Sequence, residues 1–105
     1  LEGKYIEWHE NGQIKTLCYY INSNLEGKYI EWHENGQIKT LCHYLCRTMK
    51  DGEINGGLHG KYTKWYNNGQ KEEECYYKNN QLHGRYISWY EDGRKCHECY
   101  YNCKY

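Results

Sequence analysis

The sequence predicts an all-β fold, an elongated antiparallel meander of stacked β-hairpins with about eight strands. Three observations predict it. The string Leu-x-Gly-(Lys/Arg)-Tyr-x-x-Trp occurs four times, each copy is followed at fixed spacing by Asn-Gly or Asp-Gly, and the links between copies are short and polar. Self-similarity at a period of a few tens of residues marks an array in which each unit buries its face on its neighbours.

Residues 1–18, LEGKYIEWHENGQIKTLC, recur letter for letter at 25–42, and the register continues as GKYTKWYNNGQ from Gly60 and GRYISWYEDGR from Gly84. The starts at Leu1, Leu25, Leu58 and Leu82 are 24, 33 and 24 residues apart, so nine residues are inserted between units two and three. One repeat array over 1–105 is expected, with units at 1–24, 25–57 (including a hairpin insertion near 45–57), 58–81 and 82–105.

Within a unit, the β-prone run Gly3 to Trp8 meets Glu10-Asn11-Gly12, and a second run continues from Gln13 to Tyr20. Asn-Gly between two such runs is a strong hairpin signal, because both residues tolerate positive φ. It returns as Asn35-Gly36, Asn68-Gly69 and Asp92-Gly93. The links Asn22-Ser23-Asn24 and Lys78-Asn79-Asn80 are equally short, which forces sequential antiparallel neighbours. In the insertion, the flanking strands overrun the sheet and turn at Asp51-Gly52.

A two-residue turn at Asn11-Gly12 pairs Gly3 with Tyr20 and Tyr5 with Cys18. The invariant set Gly3, Tyr5, Cys18 and Tyr20 then shares one face, with Gly12 in the turn. Its counterparts are Gly27, Tyr29, Gly36, Cys42 and Tyr44; Gly60, Tyr62, Gly69, Cys75 and Tyr77; and Gly84, Tyr86, Gly93, Cys99 and Tyr101. These are expected to be structural, each Tyr20-type ring shielding a bare glycine. Trp8 has the opposite parity and shares the other face with Ile6, Leu17 and Tyr19.

The apolar inventory is unusual, with 14 Tyr and 4 Trp but no Phe, Val, Ala or Pro. Each Tyr O–H and Trp N–H needs a partner when buried, so a thin layer with a wet edge suits this composition better than a thick core. Lys plus Arg and Asp plus Glu are 14 each. No net basic charge therefore draws the chain to nucleic acid, and base stacking on the aromatic residues lacks its usual electrostatic companion. No run approaches the roughly 20 apolar residues of a spanning helix, and no signal-peptide pattern opens the chain. The chain starts inside the motif, so that last absence carries little weight.

The unit G-(K/R)-Y-x-x-W-(H/Y)-x-(N/D)-G-x-x-x-x-x-C-x-Y resembles the MORN-repeat variant, and the resemblance covers everything but the insertion. It implies β-hairpins stacked into an elongated antiparallel sheet, in agreement with the reading above. Similar sequences include YwqK-type antitoxins, which neutralise a partner toxin, and tracts in large DNA viruses. The original MORN repeats are associated with scaffolding and with phospholipid membranes. The resemblance carries no site residues.

Cys96-x-x-Cys99-x-x-x-Cys103 and Cys42-His43-x-x-Cys46 offer zinc-ligand types. On extended strands, however, Cys96 and Cys99 face opposite ways, and Cys42 and Cys46 sit about 13 Å apart. Zinc needs four ligands converging at about 2.0–2.3 Å. Neither a metal nor another cofactor is expected. Cysteines equivalent between successive hairpins lie about 9.6 Å apart, beyond the ~7 Å reach of a disulfide. The expectation is therefore buried thiols and a reduced, intracellular setting, the host cytoplasm if the sequence is viral.

No nucleophile–base pair is brought together by the spacing, so no enzyme is expected. His9 and His33 give way to Tyr66 and Tyr90 and look like amphipathic surface positions. The expected function is a non-catalytic scaffold for protein–protein interaction. Its binding strip would comprise Trp8, Trp32, Trp65, Trp89, Ile6, Ile30, Ile87, Tyr19, Tyr76 and Tyr100, since an exposed Trp ladder supplies interface anchors. A peripheral membrane module, and a structural segment carrying more repeats of the same chain, are the alternatives.

Overall fold

The computed structural model describes residues 2–48 and 54–101. Eleven strands form one antiparallel sheet: β1 (Gly3–Trp8), β2 (Ile14–Ile21), β3 (Asn24–Leu25), β4 (Gly27–Trp32), β5 (Ile38–Thr48), β6 (Ile54–Leu58), β7 (Gly60–Trp65), β8 (Lys71–Lys78), β9 (Gln81–Leu82), β10 (Gly84–Trp89) and β11 (Lys95–Tyr101). Eight follow one another as β1-β2-β4-β5-β7-β8-β10-β11, which is the expected meander. The short β3, β6 and β9 are additional and pair with β2, β5 and β8. With extents of 48 × 39 × 12 Å the sheet is one layer thick.

Within each hairpin the mid-strand register is the expected one: Gly3 opposite Tyr20 and Tyr5 opposite Cys18, repeated as Gly27–Tyr44, Gly60–Tyr77 and Gly84–Tyr101. The tip is not the expected two-residue turn. Gly12 N donates to His9 O at 3.0 Å and His9 N to Gln13 O at 2.8 Å, closing a three-residue loop. Only Gly12 has positive φ there, at 90°, while Asn11 does not. This is a type I turn followed by a left-handed glycine, which puts the strands one residue out of step. A bulge restores the step: Trp8 pairs with Ile14 and Glu7 with Thr16, leaving Lys15 unopposed. Turns with positive φ at two successive residues occur instead in the links, at Asn22 (51°) and Ser23 (66°) and at Asn79 (50°) and Asn80 (68°).

Between hairpins, β2 pairs first with β3 (Tyr20 with Leu25) and then with β4 (Leu17 with Ile30). Two extra residues on the second strand are absorbed at Glu26-Gly27, where Glu26 N donates to Tyr19 O at 2.9 Å. Gly27 sits at φ 85°, and Gly60, its counterpart after the insertion, at 95°. The glycine of the Leu-x-Gly string is thus fixed by a backbone bend. It is not shielded by a ring, because no atom lies within 4 Å of a Cβ built at Gly3, Gly27, Gly60 or Gly84. The Tyr20-type rings lean instead edge-on against the Tyr5-type rings, with centroids 6.0 Å apart for Tyr5–Tyr20 and 5.6 Å for both Tyr29–Tyr44 and Tyr62–Tyr77. Each such pair contributes about 0.5–1.5 kcal/mol beyond its burial.

The core is divided between the faces. Thr16, Thr40, Cys18, Cys42 and Cys75 are buried on the Tyr face, and Thr63 and Ile87 on the Trp face. The insertion overruns the sheet as expected, with β5 pairing β6 from Tyr44–Leu58 out to Thr48–Ile54. The anticipated turn at Asp51-Gly52, and Met49, lie outside the described residues. The base of the overrun is tied to the next link, since Asn80 N donates to Leu58 O at 2.8 Å and Leu58 N to Asn80 Oδ1 at 3.2 Å.

Candidate interaction surface

On the Tyr face, half-buried phenols and buried thiols are held neutral. Burial, then the neighbouring Glu31 carboxylate, push the Tyr29 phenol up, and Tyr29 OH donates to Glu31 Oε2 at 3.3 Å. Tyr86 OH reaches across the hairpin junction and donates to Glu73 Oε2, which, ahead of burial, raises its pKa. Burial pushes the Cys42 and Cys75 thiols up to about 12. A thiol held so far above neutral pH is a packing group and a poor nucleophile.

The cysteines expected to tempt a metal are dispersed. Cys96 occupies the bulge position equivalent to Lys15, between Lys95 opposite Trp89 and His97 opposite Ser88, and is exposed. Cys99 is half-buried beside Tyr86, and Cys103 lies outside the described residues. Among the described residues no group of three or more His, Cys, Asp or Glu side chains is placed to hold a metal ion.

The Trp face changes character along the array. In the first hairpin Trp8 is 62% exposed, Ile21 46%, Tyr19 40% and Ile6 36%. Moving inward, Trp32, Trp65, Trp89 and Ile30 are half-buried and Ile87 is buried. Tyr76 and Tyr100 are exposed. The residues expected to form one strip therefore divide: Trp8, Ile6 and Tyr19 are open at the first hairpin, Tyr76 and Tyr100 are open farther along, and Trp32, Trp65, Trp89, Ile30 and Ile87 form a covered column.

A second gradient runs across the same face. Leu17 and Leu41, opposite Ile6 and Ile30, become Glu74 and Glu98, while Ile14 and Ile38, opposite the Trp residues, become Lys71 and Lys95. The substitutions are coupled. Lys71 Nζ and Lys61 Nζ lie 2.8 and 3.4 Å from Glu74 Oε2, and Lys95 Nζ and Arg85 Nε lie 2.9 and 2.8 Å from the Glu98 carboxylate. Units one and two thus present an apolar Trp face, and units three and four an ionic one.

The hairpin tips carry a further set of contacts, from side chains of one hairpin to the backbone of the next. His9 Nε2 lies 2.9 Å from Trp32 O, His33 Nε2 lies 2.9 Å from Trp65 O, and Tyr66 OH donates to Trp89 O at 2.7 Å. Asn11 Nδ2 donates to Glu34 O at 2.8 Å, Asn35 Nδ2 to Asn67 O at 2.6 Å and Asn68 Nδ2 to Glu91 O at 3.0 Å. Each asparagine also accepts the backbone N–H two residues on, as Asn11 Oδ1 does from Gln13 N at 3.0 Å. Gln13, Gln37 and Gln70 lie against the turn glycines Gly36, Gly69 and Gly93, with Oε1 2.7, 2.8 and 2.5 Å from where a Cβ would stand. His9 and His33, expected only as amphipathic surface positions, are half-buried bridging groups. The exchange of His for Tyr was the available signal, since both can donate to a carbonyl from a planar ring.

One family model, the MORN repeat variant, matches the chain over residues 1–22, 25–45, 58–79 and 82–102. The chain belongs to the MORN repeat variant family. No curated protein and no solved structure matches it. MORN repeats are in general modules for protein or membrane association. In this MORN chain the matched segments leave out the insertion, and among the described residues no helix is long and apolar enough to cross a membrane.

Proposed function

We propose that the chain is a non-catalytic scaffold that binds a protein partner through the Trp face of its first two hairpins. The carrying observation is the exposure of Trp8, Ile6, Tyr19 and Ile21 together on one hairpin, on a face that turns ionic in units three and four. An exposed Trp is a frequent interface anchor, and Ile6 lies two residues from Trp8 on the same face. Catalysis finds no support, because the buried thiols are held protonated and the histidines at the tips are engaged with backbone carbonyls.

The test compares Trp8→Lys with Lys61→Ala in capture of a partner from source lysate, beside flotation of the purified protein with anionic liposomes. The proposal expects Trp8→Lys to abolish capture, Lys61→Ala to preserve it, and the protein to stay with the soluble fraction. Flotation without a partner, lost in Trp8→Lys, replaces the scaffold by a peripheral membrane module.

A further inference from the structure

The formal net charge is zero, yet the charges are separated by face. The strand pairs of the four hairpins put six cations on the Trp face, Lys4, Lys28, Lys61, Lys71, Arg85 and Lys95, against the carboxylates of Glu74 and Glu98. The same pairs put Glu7, Glu31 and Glu73 on the Tyr face against one lysine, Lys64. Neutrality of the whole chain therefore does not describe the field above either face.

Four of the cations stand in one row. Beyond the Ile6–Leu17 type of pair, the next pair on the Trp face sets a cation opposite a planar ring in every hairpin: Lys4 and Tyr19, Lys28 and His43, Lys61 and Tyr76, Arg85 and Tyr100. The junction pairs Leu17–Ile30, Leu41–Thr63 and Glu74–Ile87 keep the hairpins level, so the row crosses the sheet from β1 to β11. Every side chain in it is exposed, whereas Leu17, Ile30, Leu41, Thr63 and Ile87 beside it are half-buried or buried. This holds in the two middle hairpins as in the outer ones, so the exposure does not come from an open sheet edge. Strand spacing sets the cations about 9.6 Å apart with a ring between each two. The row itself contains no carboxylate. Glu74 and Glu98 reach Lys61 and Arg85 from the adjoining row, and among the described residues no ion pair engages Lys4 or Lys28.

We propose that this row binds single-stranded nucleic acid laid across the strands, with phosphates on the cations and bases stacked on the rings. Cations track a phosphate backbone, and every base has a π-face for an exposed ring, which is how other sheet faces hold single strands. An acidic protein segment would use the cations and leave the rings without a role. A duplex keeps its bases stacked inside and would do the same. The electrostatic companion that composition lacks is supplied by the separation of charge between faces. Trp8 is not in the row, so this inference stands apart from the scaffold reading.

The test titrates the 105-residue chain, in reducing buffer, into a fluorescein-labelled oligothymidylate of about 12 nucleotides at salt from about 50 to about 300 mM. The expected result is saturable binding with a log–log salt slope of about −3, four phosphates at about 0.7 each. Lys28→Ala should weaken binding and bring the slope to about −2. Tyr76→Ala should weaken it at least about fivefold at an unchanged slope, the loss of one stacked base. Lys64→Ala, on the other face, should change neither, and circular dichroism checks that each variant keeps its sheet. No saturable binding at the lowest salt overturns the proposal, as does a Tyr76→Ala variant that binds like the parent or a Lys64→Ala variant that loses as much as Lys28→Ala. Competition by polyglutamate of equal charge, at the same concentration as unlabelled oligothymidylate, overturns it in favour of an acidic protein segment. Equal competition by vesicles of equimolar phosphatidylcholine and phosphatidylserine overturns it in favour of lipid headgroups.

Discussion

His9 holds the next hairpin by the backbone of Trp32: its Nε2 lies 2.9 Å from the Trp32 carbonyl oxygen. A carbonyl only accepts, so the ring carries its proton on Nε2. Tyr66 makes the same bridge two junctions later. His9→Tyr should therefore be nearly neutral, while His9→Phe should cost about 1 kcal/mol, the usual net worth of one hydrogen bond. Urea denaturation of the two variants separates them, and equal midpoints would remove the bridge from the account.

The asparagine of each tip does two jobs, and a carboxylate can do only one. Asn35→Asp retains the acceptor for Gln37 N but sets an anion beside Asn67 O. We expect a loss of about 0.5–1.5 kcal/mol, the net worth of one hydrogen bond, because the carbonyl left behind is exposed to water. The reverse change in the last unit, Asp92→Asn, should shift the midpoint far less, because Asp92 faces no following hairpin among the described residues and its partner Arg94 is exposed.

Gly60 stands at φ 95° with open space where a Cβ would project. The backbone alone sets its cost, about 1–2 kcal/mol for a residue with a side chain in left-handed conformation. Gly60→Asn should be milder than Gly60→Val, because Asn visits that region and β-branched residues avoid it. Gly69→Asn should cost about as much as Gly60→Asn, since Gln37 Oε1, 2.8 Å from its Cβ position, ends an exposed side chain that can move aside. Thermal melts of the three rank them.

The ionic half of the Trp face makes stability depend on acid. The Lys71 hydrogen bond holds Glu74 below its ordinary carboxylate value, and Lys95, then Arg85, do the same for Glu98. A depressed carboxyl contributes stability above the unfolded pKa of about 4.5, and that contribution is lost as pH falls through the lower folded value. Glu74→Gln should lower the neutral plateau of a stability–pH curve and flatten the limb below about pH 4.5, with stability at the acid extreme nearly unchanged.

Thiol reactivity should sort by environment. Cys96 is exposed, whereas burial holds Cys42 and Cys75 at about 12. Alkylation at pH 8 followed by peptide mapping should label Cys96 well before Cys42 or Cys75. The same raised values stabilise the fold below the usual thiol value of 9.0, and that stabilisation is lost as pH climbs toward about 12.

Much of the sheet was legible because alternation and turn residues act locally. The Gly3–Tyr20 and Tyr5–Cys18 pairs followed from the pattern of invariant positions, although the turn assumed for them was wrong. The three-residue loop at Gly12 and the bulge at Lys15 each shift the strands by one residue, and the two shifts cancel before Glu7. A mid-strand register therefore cannot report its own turn. The tip bridges were not legible for a different reason. Whether Asn11 reaches Glu34 O depends on how far the Glu26-Gly27 bend moves one hairpin along the next, which no single unit encodes. The uneven exposure of the Trp column was equally hidden, since Trp8 and Trp32 lie in identical strings and differ in whether another hairpin packs before them among the described residues.

The sheet is only 12 Å thick, and that thinness governs how the molecule comes apart. A block with a common interior melts all at once, but here each hairpin is held by the two beside it and by little else. Loosening should begin at a terminal unit and travel inward, like a zip drawn from one end. The coupling that propagates it is the set of tip and strand contacts at each junction, so weakening a middle junction should split one transition into two.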